Sequence, residues 1–447
     1  MKRIAWAFAL IFAGLSALWG LADTWWPTPH GYFDLRTVWV QYSGVLVLGA
    51  MSLAMVLATR PAWLEPHLRG LDKMYRLHKW LGIAALVFGL VHWTWAKGTK
   101  WAVGWGWLER PARKPRPPLD AFTGLEGLLR PLRGLAEGLG EWAFYAALVL
   151  MVLALVQRFP YRWFAKTHLL LAAAYLVLVF HSVVLVQYNY WSQPIGWVLA
   201  VMLVAGTVSA ILVLLGRVGA QRKAQGQICA LRPFPSLHML EILVKMGSQW
   251  RGHQPGQFAF VTTDRGEGAH PYTIASAWNA QHPQLRFVTK ALGDHTRCLP
   301  DLLKVGDTVT VEGPYGCFSF ADTQARQIWI GAGIGITPFI GRLQYLAQQE
   351  SAPRQQIDLF NVTAVYEPEA WELLCELARA AQVTLHIWRS EEQGKLSGEQ
   401  LRQIVPDWQQ ASVWFCGPAA FGQHLACDLR AHGLAAKHFH QELFNMR

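Results

Sequence analysis

The sequence predicts a membrane-embedded, all-α bundle of six helices, followed by a soluble module that combines an antiparallel β-barrel with an α/β nucleotide-binding domain. Three observations lead to this fold class. Apolar residues make up 53% of the 447-residue chain and charged residues only 15%, a balance typical of membrane proteins. Long uncharged runs fill the first half. After Arg222, short alternating segments follow, and then strands that alternate with helices. The predicted domains are 1–222, 223–322 and 323–447.

The spacing of charges predicts the six membrane helices. The uncharged stretch at 167–216 is 50 residues long, more than twice the roughly 20 residues that one span needs. A polar segment at 187–194 divides it into two helices. Two of the remaining runs are short, so we expect their helices to extend into the charged residues that flank them. These remaining uncharged runs are 4–22, 37–59, 80–96 and 142–157.

The distribution of basic residues predicts the orientation. Residues 1–216 carry 19 Lys and Arg against 9 Asp and Glu, whereas the remainder carries 21 against 20. Basic clusters at 60–79, at 158–166 and after 216 are expected on the cytoplasmic side of a bacterial-type inner or plasma membrane, together with the soluble module. The basic loop predicted at 97–141 is placed outside, because long loops follow the charge rule poorly. The basic excess favours anionic lipid headgroups over nucleic acid as its partner.

The cysteines argue against an iron–sulfur cluster. All six follow residue 216, and none has a CxxC or CxxxxCxxC spacing. Free thiols in this half of the chain agree with a reducing cytoplasm.

Four histidines lie in two matched pairs inside apolar stretches. His78 and His92 are 14 residues apart, and His168 and His181 are 13 apart. Each pair spans roughly 20 Å of helix, so two such helices side by side offer two bis-histidine sites, as two b-type haems in a membrane require. The alternative, buried core histidines without a ligand, is disfavoured by the matched pairs. Because 13 residues fall about 140° short of one helix face, the second helix needs a local distortion, or its two rings approach iron at different angles.

The second half contains a glycine-rich nucleotide loop. Short alternating segments at roughly 225–322 predict the antiparallel barrel, and the α/β pattern follows it. The first strand of that pattern, 327–330, leads into GlyAlaGlyIleGlyIleThrPro at 331–338. Glycines let a pyrophosphate approach the backbone, Thr337 is a candidate helix cap, and Pro338 suits the first helical turn. The helix N-terminus is then expected to face the phosphates.

Several motifs follow the order found in the ferredoxin-reductase superfamily. HisProTyrThrIleAlaSer at 270–276 resembles the flavin motif of that superfamily, in the variant with His in place of Arg that is typical of NADPH oxidases and ferric reductases. With the two histidine pairs, the resemblance to the ferric reductase and NADPH oxidase superfamily covers nearly the whole chain. It implies a six-helix di-haem domain joined to a ferredoxin-reductase-like module. The remaining matching segments are GlnPheAlaPhe (257–260), LysAlaLeuGlyAsp with Thr296 (290–296), GluGlyProTyrGly (312–316), the loop at 331–338, CysGlyPro (416–418) and HisGlnGluLeuPhe (440–444).

The resemblance also implies residue roles. Phe444 would stack on the isoalloxazine ring and move aside for nicotinamide, while Cys416 and Glu442 line the hydride-transfer site and Thr273 contacts the flavin. The alternatives are a docking aromatic for Phe444 and a small buried hydrophobe for Cys416. The implied contacts to FAD are His270, Pro271, Tyr272, Thr273, Ser276, Lys290, Gly293 and Thr296, and those to the nicotinamide nucleotide are Gly331, Gly333, Gly335, Thr337, Pro338, Cys416, Gly417 and Pro418.

The implied activity is electron transfer across the membrane. Cytoplasmic NADPH or NADH would reduce FAD, and electrons would reach the haem of His78 and His168, then the outer haem of His92 and His181. Bis-histidine iron has no open position, so an outer one-electron acceptor takes the electron at the haem edge. Ferric chelates are the favoured acceptor and dioxygen is the alternative.

Two departures from the oxidase pattern disfavour superoxide production. Ala96 stands where animal NADPH oxidases have an oxygen-pocket histidine, and the arginine of their second helix is not evident, since Arg36 lies only at the edge of an uncharged run. Two further functions are compatible with the composition: a haem-carrying membrane electron carrier with a vestigial flavin domain, which the intact motifs oppose, and a soluble reductase merely anchored by helices. The segment 361–368 lacks an arginine for a 2′-phosphate, and Arg389 is the remaining candidate, so NADPH and NADH both stay open.

Overall fold

The computed structural model describes residues 2–27, 31–109, 124–156, 158–264, 266–349 and 355–442. The chain divides into two compact units. Unit 1 is built from Met1–Leu64 and Lys73–Val218, and unit 2 from Glu65–Asp72 and Gly219–Met446. The predicted domain boundaries after residues 222 and 322 stay predictions.

Within the described residues, six helical segments are long and apolar enough to cross a membrane, which agrees with the number predicted. The third and fourth are the longest, at 34 and 32 residues, because they extend, as expected, beyond short uncharged runs into charged residues. The segments are Arg3–Ala22, Tyr32–Ala58, Leu71–Gly104, Gly124–Leu155, Trp163–Leu185 and Pro194–Leu214. The α-helices from which they and the adjoining turns are built are α1 (Lys2–Ala22), α2 (Tyr32–Ala58), α3 (Glu65–Leu68), α4 (Leu71–Trp93), α5 (Thr99–Gly104), α6 (Gly124–Leu129), α7 (Arg133–Leu155), α8 (Tyr161–Leu185) and α9 (Pro194–Leu214).

Much of the stretch at 97–141 is helical, so the prediction of a loop over its whole length was wrong, while its placement on the outer side stays a prediction. Helix α4 continues through a π-helical turn, Thr94–Gly98, into α5, and α6 and α7 occupy most of 124–141. The charges there are spaced widely enough among Trp, Leu and Ala for a helix to present one apolar side. The Arg- and Pro-rich stretch at 110–118 lies outside the described residues.

Arg36 supports the π-helical turn. Its Nε donates to the Trp95 carbonyl at 3.2 Å and its Nη2 to the Ala96 carbonyl at 3.1 Å. A π-helical turn interrupts the regular pattern of helical hydrogen bonds, so its carbonyls need other donors. Because α2 begins at Tyr32, Arg36 lies inside the second membrane helix. The sequence placed Arg36 only at the edge of the uncharged run, and the structure includes it in the helix because the helix starts before that run.

Two pairs of polar side chains inside unit 1 are hydrogen-bonded to each other. The Trp19 indole donates to the Tyr190 hydroxyl at 3.0 Å, and the hydroxyls of Ser52 and Tyr175 are 2.8 Å apart. Gly206 allows this contact, because a Cβ there would lie 2.1 Å from the Tyr175 oxygen. In hydrocarbon, unpaired polar groups are costly, so such pairs fix how the helices pack.

The first sheet of unit 2 is antiparallel and has six strands in the order β4-β3-β6-β1-β2-β5. A bridge between Ile274 and Phe287 joins the two edge strands and closes the sheet. Inward and outward residues alternate along its strands, which is the pattern that predicted the barrel. The strands are β1 (Lys223–Phe234), β2 (Met239–Met246), β3 (Phe258–Thr262), β4 (His270–Thr273), β5 (Gln284–Lys290) and β6 (Thr308–Tyr315), and helix α10 (Asp294–Leu302) follows β5.

The second sheet is parallel and has the order β11-β10-β7-β8-β9. The chain moves from β7 to β8 on one side and later returns to β10 on the other. This reversal of strand order leaves a crevice at the carboxyl ends of β7 and β10, the place where α/β sheets bind ligands. The elements are β7 (Arg326–Ala332), α11 (Thr337–Ala347), β8 (Gln356–Thr363), α12 (Pro368–Ala380), β9 (Thr384–Arg389), α13 (Ser390–Gln393), α14 (Gly398–Ile404), β10 (Ala411–Cys416), α15 (Ala419–Ala431) and β11 (Phe439–Gln441).

Unit 2 also includes a short segment from between two membrane helices, Glu65–Asp72. Glu65 is buried, and its Oε1 accepts the Gly316 N–H at 2.7 Å. Its Oε2 lies 4.0 Å from Arg222. Burial raises the pKa of Glu65, and the Gly316 N–H and the Arg222 charge act in the opposite direction. The predicted domain 1–222 therefore differs from unit 1 of the structure at Glu65–Asp72. This segment belongs to unit 2, where the Glu65 carboxylate accepts a main-chain N–H.

Asp322 is a hydrogen-bond centre for the parallel sheet. Its Oδ2 accepts from the Trp414 indole at 3.1 Å, from the Gln327 amide at 3.0 Å and from the Ser412 hydroxyl. Its Oδ1 accepts from the Gln355 amide at 2.9 Å. One carboxylate therefore ties β7 and β10 to the segments that precede β7 and β8.

Replacing Asp322 with alanine should destabilise unit 2. Ser412 would lose its acceptor, and Trp414 and Gln327 would each lose one of two acceptors. Lost hydrogen bonds of this kind reduce the free energy of unfolding by about 3 kcal/mol in sum. Thermal unfolding of the detergent-solubilised chain measures the change, and Asp301→Ala, at an exposed carboxylate of α10, is the control. Equal melting temperatures for the two variants would contradict this role.

Candidate functional site

The four predicted histidines meet in two pairs between α4 and α8. The ring centroids of His78 and His168 are 5.9 Å apart, and those of His92 and His181 are 6.4 Å apart. Metal–imidazole nitrogen bonds are about 2.0–2.1 Å long, so two imidazoles on opposite sides of one metal ion have ring centres about 6 Å apart. Both pairs therefore fit bis-histidine ligation of iron.

Main-chain carbonyls fix the tautomer of three of these rings. A carbonyl oxygen can only accept, so the Nδ1 atom bonded to it carries the proton and leaves Nε2 with a lone pair for a metal. The acceptors lie on the neighbouring helices α2 and α7. The Nδ1–H groups donate from His78 to Ala54 at 2.9 Å, from His92 to Val40 at 3.0 Å and from His181 to Ala136 at 2.8 Å.

His168 is held differently from His181. Helix α8 is α-helical from Tyr161 to Leu185 without a local distortion, so the two rings leave different sides of it. His168 stacks on Phe164, with centroids 5.0 Å apart, and its buried Nδ1 has no hydrogen-bond partner among the described residues. The 13-residue spacing left two possibilities, a distorted helix or two rings that approach a metal at different angles. The undistorted helix corresponds to the second possibility.

Two glycines make room for the second pair. A Cβ on Gly140 of α7 would lie 1.9 Å from Nδ1 of His181, and a Cβ on Gly44 of α2 would lie 3.4 Å from His92. The spacing of the histidines alone gave no sign of these positions. Gly140 lies one helical turn after Ala136, the residue whose carbonyl accepts from His181.

The predicted flavin residues cluster at β4 and its neighbours. Thr273 and Tyr272 are buried on β4, and Ser276 Oγ accepts the Arg286 N–H at 3.1 Å. Burial raises the pKa of Tyr272, so its phenol stays protonated, and the buried hydroxyl has no partner within the described part of the chain. A buried donor of this kind fits a polar atom of a bound cofactor. Pro271 pairs with Phe260 in the sheet.

His270 stacks on His295, with ring centroids 3.8 Å apart and planes 8° apart. Burial, and secondarily the neighbouring His295, lowers the pKa of His270 to about 4. Glu267 offers a third potential metal-ligand atom within 4.8 Å. A metal ion must lie in the plane of each ligating imidazole, and parallel stacked rings do not share such a point. The pair suits contact with a cofactor better than it suits a metal ion.

The implied phosphate contacts lie near the glycine loop. A Cβ on Gly333 would lie 4.0 Å from the ammonium nitrogen of Lys290. At the start of α10, Thr296 Oγ1 accepts the N–H of Gly293 at 3.1 Å. Lys290 and Gly333, predicted for different cofactors, are thus brought close together.

The glycine loop is closely packed against β10. A Cβ on Gly335 would lie 2.1 Å from the Cys416 carbonyl oxygen, and one on Gly417 would lie 2.7 Å from Ala332. Gly331 pairs with Cys416 across the parallel strands. These residues surround the crevice where the strand order reverses. Pro418, also predicted at this site, directly precedes α15.

Thr337 does not cap helix α11, so that prediction was wrong. Residues Gly333–Ile336 form a 3₁₀ turn, which moves the cap position to Ile336 and makes Thr337 the first helical residue. The Thr337 hydroxyl donates to the Ile334 carbonyl at 3.1 Å. Pro338 lies in the first turn, as predicted.

Cys416 and Glu442 lie at the carboxyl end of β10. Cys416 is fully buried, and burial together with the charge of Glu442 raises the pKa of its thiol. The thiol is therefore protonated at neutral pH and cannot act as a nucleophile. The Glu442 N–H donates to the Phe415 carbonyl at 3.4 Å. Phe444, the predicted stacking residue, lies outside the described residues.

Two residues that no sequence motif marked join α11 to the flavin motif. A Cβ on Gly341 would lie 3.1 Å from the Ile274 carbonyl, and Gln344 Oε1 accepts the Ala277 N–H at 3.2 Å. A glycine one turn after Thr337 is the signal that marks this close approach of a helix to a strand.

Comparison with known proteins finds several that resemble parts of this chain. Residues 43–179 match the family described as ferric reductase like transmembrane component. The chain is 25% identical over 206 residues to a flavohemoprotein of Vibrio cholerae, which covers 43% of this chain and 51% of that protein. It is 26% identical over 210 residues to a glycine betaine monooxygenase reductase subunit of Chromohalobacter salexigens, covering 43% and 56%.

Among solved structures, the FAD/NAD binding domain of nitric oxide dioxygenase from Vibrio cholerae aligns with a TM-score of 0.43 at 21% identity, covering 49% of this chain and 97% of that one. The chain spans about half the length of the curated relatives that it matches.

The match and the architecture together confirm the predicted class. Residues 43–179 resemble a ferric reductase like transmembrane component, and within the described residues they lie among six helices that are long and apolar enough to cross a membrane. One antiparallel and one parallel sheet follow, which is the fold predicted for the second half.

Gly140→Ala should displace His181 and lower the bound haem by about half. Alanine normally stabilises a helix interior by about 1 kcal/mol relative to glycine, so a loss can be assigned to the clash with the imidazole. Gly138→Ala on the same helix is the matched control, because nothing lies within 4 Å of its Cβ position. The haem-to-protein ratio of each variant, taken from its reduced spectrum, shows whether the new Cβ displaces His181. Equal ratios would show that the contact is unimportant.

Gly335→Ala should weaken nucleotide binding. The new Cβ would meet the Cys416 carbonyl, a backbone atom that cannot turn away, so the glycine loop must shift. We expect the KM for NAD(P)H to rise at least about tenfold, measured with a soluble dye as acceptor so that the haems are bypassed. Gly266→Ala, whose Cβ would lie 3.4 Å or more from its neighbours, should keep the wild-type KM. A normal KM in Gly335→Ala would count against this loop as the nucleotide site.

Proposed function

We propose that this protein carries electrons from cytoplasmic NAD(P)H through FAD and two b-type haems to a one-electron acceptor on the outer face, with ferric chelates as the favoured acceptor. The observation that carries the proposal is the geometry of the two histidine pairs. Ring separations of 5.9 and 6.4 Å, and three Nδ1 atoms committed to carbonyls, suit two irons held by Nε2 on both sides.

The cofactors supply the redox chemistry, namely two-electron exchange at the flavin and one-electron exchange at haem iron. The chain supplies binding and orientation. Tyr272 and Thr273 would donate to the flavin, His270 would lie at the edge of FAD, and Lys290 would lie near its diphosphate. Gly333 and Gly335 would admit the nicotinamide nucleotide to the crevice above β7 and β10. Cys416, whose thiol stays protonated, would line the hydride-transfer site.

Ligation by two histidines bears on how the acceptor reacts. His92 and His181 would both hold the iron, so no ligand position would remain for an acceptor. It must receive the electron at the edge of the cofactor, which suits chelated ferric iron. Ala96, at the position of the oxidase histidine, offers no imidazole for dioxygen, and its carbonyl is bonded to Arg36. Superoxide production is the second candidate, and dioxygen is therefore one arm of the test.

Nicotinamide choice is linked to the end of β9. Arg389, the candidate for binding a 2′-phosphate, lies 5.7 Å from the Tyr366 ring centroid and 6.0 Å from that of Trp371. It also contacts Glu392. A 2′-phosphate would have to displace this carboxylate, so comparing NADPH with NADH in one assay tests the assignment.

Anaerobic mixing of the FAD-loaded full chain with NADPH or NADH should reduce the haems, as followed by their visible spectrum. Ferric citrate and oxygen, added to separate portions, should reoxidise the haems at different rates. The compound that reoxidises them faster is assigned as the acceptor. If the haems stay oxidised while dithionite reduces them, the chain is an electron carrier that needs a partner. A preparation with FAD and no haem would support a merely anchored reductase.

His181→Leu should leave one haem, because the second pair loses a ligand while the first keeps both. His424→Leu, at an exposed histidine of α15, is the control and should keep two. The pyridine haemochrome of each purified variant gives the count. Two haems in His181→Leu would refute the assignment of this pair.

A further inference from the structure

The peptide bond that ends the flavin motif, between Ser276 and Ala277, is held by side chains from both sides. Its carbonyl oxygen, on Ser276, accepts the Nε2–H of His253 at 2.7 Å. Its N–H, on Ala277, donates to Oε1 of Gln344 at 3.2 Å. The carbonyl and the N–H of a trans peptide point in opposite directions, so the two side chains approach from opposite sides. We call the two side chains and the peptide between them the peptide clamp.

His253 contributes a hydrogen-bond donor to the peptide clamp. A carbonyl oxygen can only accept, so Nε2 carries the proton of a neutral ring. Burial lowers the pKa of His253, and the bond to Ser276 acts in the opposite direction. The buried Nδ1 has no hydrogen-bond partner within the described part of the chain. The ring centroid lies 6.4 Å from that of Trp250 and 5.9 Å from that of Trp278. A phenylalanine would keep this packing and leave no acceptor unpaired, so the bond to Ser276 is what the histidine adds.

The two arms of the peptide clamp belong to different elements of unit 2. His253 lies between β2 and β3 of the antiparallel sheet, and Gln344 lies on α11, the helix that begins at the glycine loop. A Cβ on Gly341, three residues before Gln344, would lie 3.3 Å from both the nitrogen and the oxygen of Ser276. The backbone of α11 is therefore packed directly against the clamped peptide.

The neighbouring groups of the flavin motif are held by β5 of their own sheet. Ser276 Oγ accepts the Arg286 N–H at 3.1 Å, and the Ala275 N–H donates to the Arg286 carbonyl at 2.7 Å. These bonds fix the motif within the antiparallel sheet. The bond from Ala277 to Gln344 reaches the other sheet's helix instead, so the peptide clamp fixes the motif against α11.

We propose that the peptide clamp sets the distance between the flavin motif and helix α11, with His253 and Gln344 as positioning residues for hydride transfer. This inference rests on the proposed function and deepens it at the step in which reduced nicotinamide loses a hydride and the flavin gains it. Tyr272 and Thr273, just before the clamp, would contact the flavin, and the start of α11 would hold the nucleotide. Because a misplacement of about 1 Å can slow a reaction roughly 100-fold, a small shift of this peptide should lower the rate.

His253→Phe should slow the reduction of bound flavin by NAD(P)H at least about tenfold, measured per bound FAD by anaerobic rapid mixing with the full chain. The nucleotide concentration that gives half of the maximal rate should change little, because the glycine loop is untouched. His253→Gln places an amide N–H close to the position of Nε2 and should recover most of the rate. His282→Phe, at an exposed histidine before β5, is the matched control and should keep the wild-type rate.

Gln344→Met tests whether the two arms act as one unit. It removes the acceptor of the Ala277 N–H and keeps a side chain of similar length, so it should slow flavin reduction about as much as His253→Phe. The double variant should be little slower than either single variant, because one lost arm already releases the peptide. If the two effects multiply instead, the residues act separately and the peptide clamp is refuted.

A second measurement does not depend on electron transfer. Hydrogen exchange of the FAD-loaded full chain, followed by mass spectrometry, should be faster at the Ala277 N–H in His253→Phe, although His253 bonds to the carbonyl side of this peptide. His253→Gln should exchange as the wild type does. This result supports the peptide clamp even if NAD(P)H reduces no flavin in the wild type, in which case the proposed function alone fails. Equal exchange and equal flavin reduction in His253→Phe and the wild type overturn the clamp, while haem reduction by both would leave the proposed function intact.

Discussion

The arrangement of the membrane unit depends on one interaction, the hydrogen bond from a histidine Nδ1–H to a main-chain carbonyl on another helix. In hydrocarbon neither group can turn to water, so the pair satisfies both and fixes the helices against each other. The same bond decides the tautomer and leaves Nε2 available. At His78, His92 and His181, one hydrogen bond therefore both packs the helices together and orients the ring nitrogen that would bind a metal. His168, which packs on Phe164 instead, depends on the surrounding contacts.

The sequence predicts most features that follow from periodicity and charge. Six spans, two pairs of histidines and a strand–glycine–helix loop could all be read from it, since each follows from a local rule about length or spacing. It did not predict Gly140 or Gly341, because a glycine inside a helix shows its purpose only when the neighbouring element is known. The cap at Ile336 and the π-helical turn were missed for a related reason, since both arise from how the backbone continues into the next element.

The site in unit 2 depends on where the parallel strand order reverses. Because β7 and β10 are neighbours in the sheet and end side by side, their pairing alone brings the glycine loop next to Cys416. Gly335 is required because a loop with side chains could not approach the Cys416 carbonyl. Helix α11, brought against Ile274 by Gly341, then links this crevice to the flavin motif. The two segments proposed to bind cofactors, which are distant in the sequence, are thereby brought together by one close contact between a helix and a strand.

The arginines at the end of the bundle beyond His92 make different kinds of contact. Arg36 uses two of its N–H groups on the carbonyls of the π-helical turn, so it supports the backbone. Arg130 lies beside Glu126, and the two largely cancel each other's charge. Arg133 lies one turn before Ala136, whose carbonyl accepts from His181. Net charge alone therefore does not identify a binding site at this end of the bundle, because two of these three arginines are already held by groups of the bundle itself.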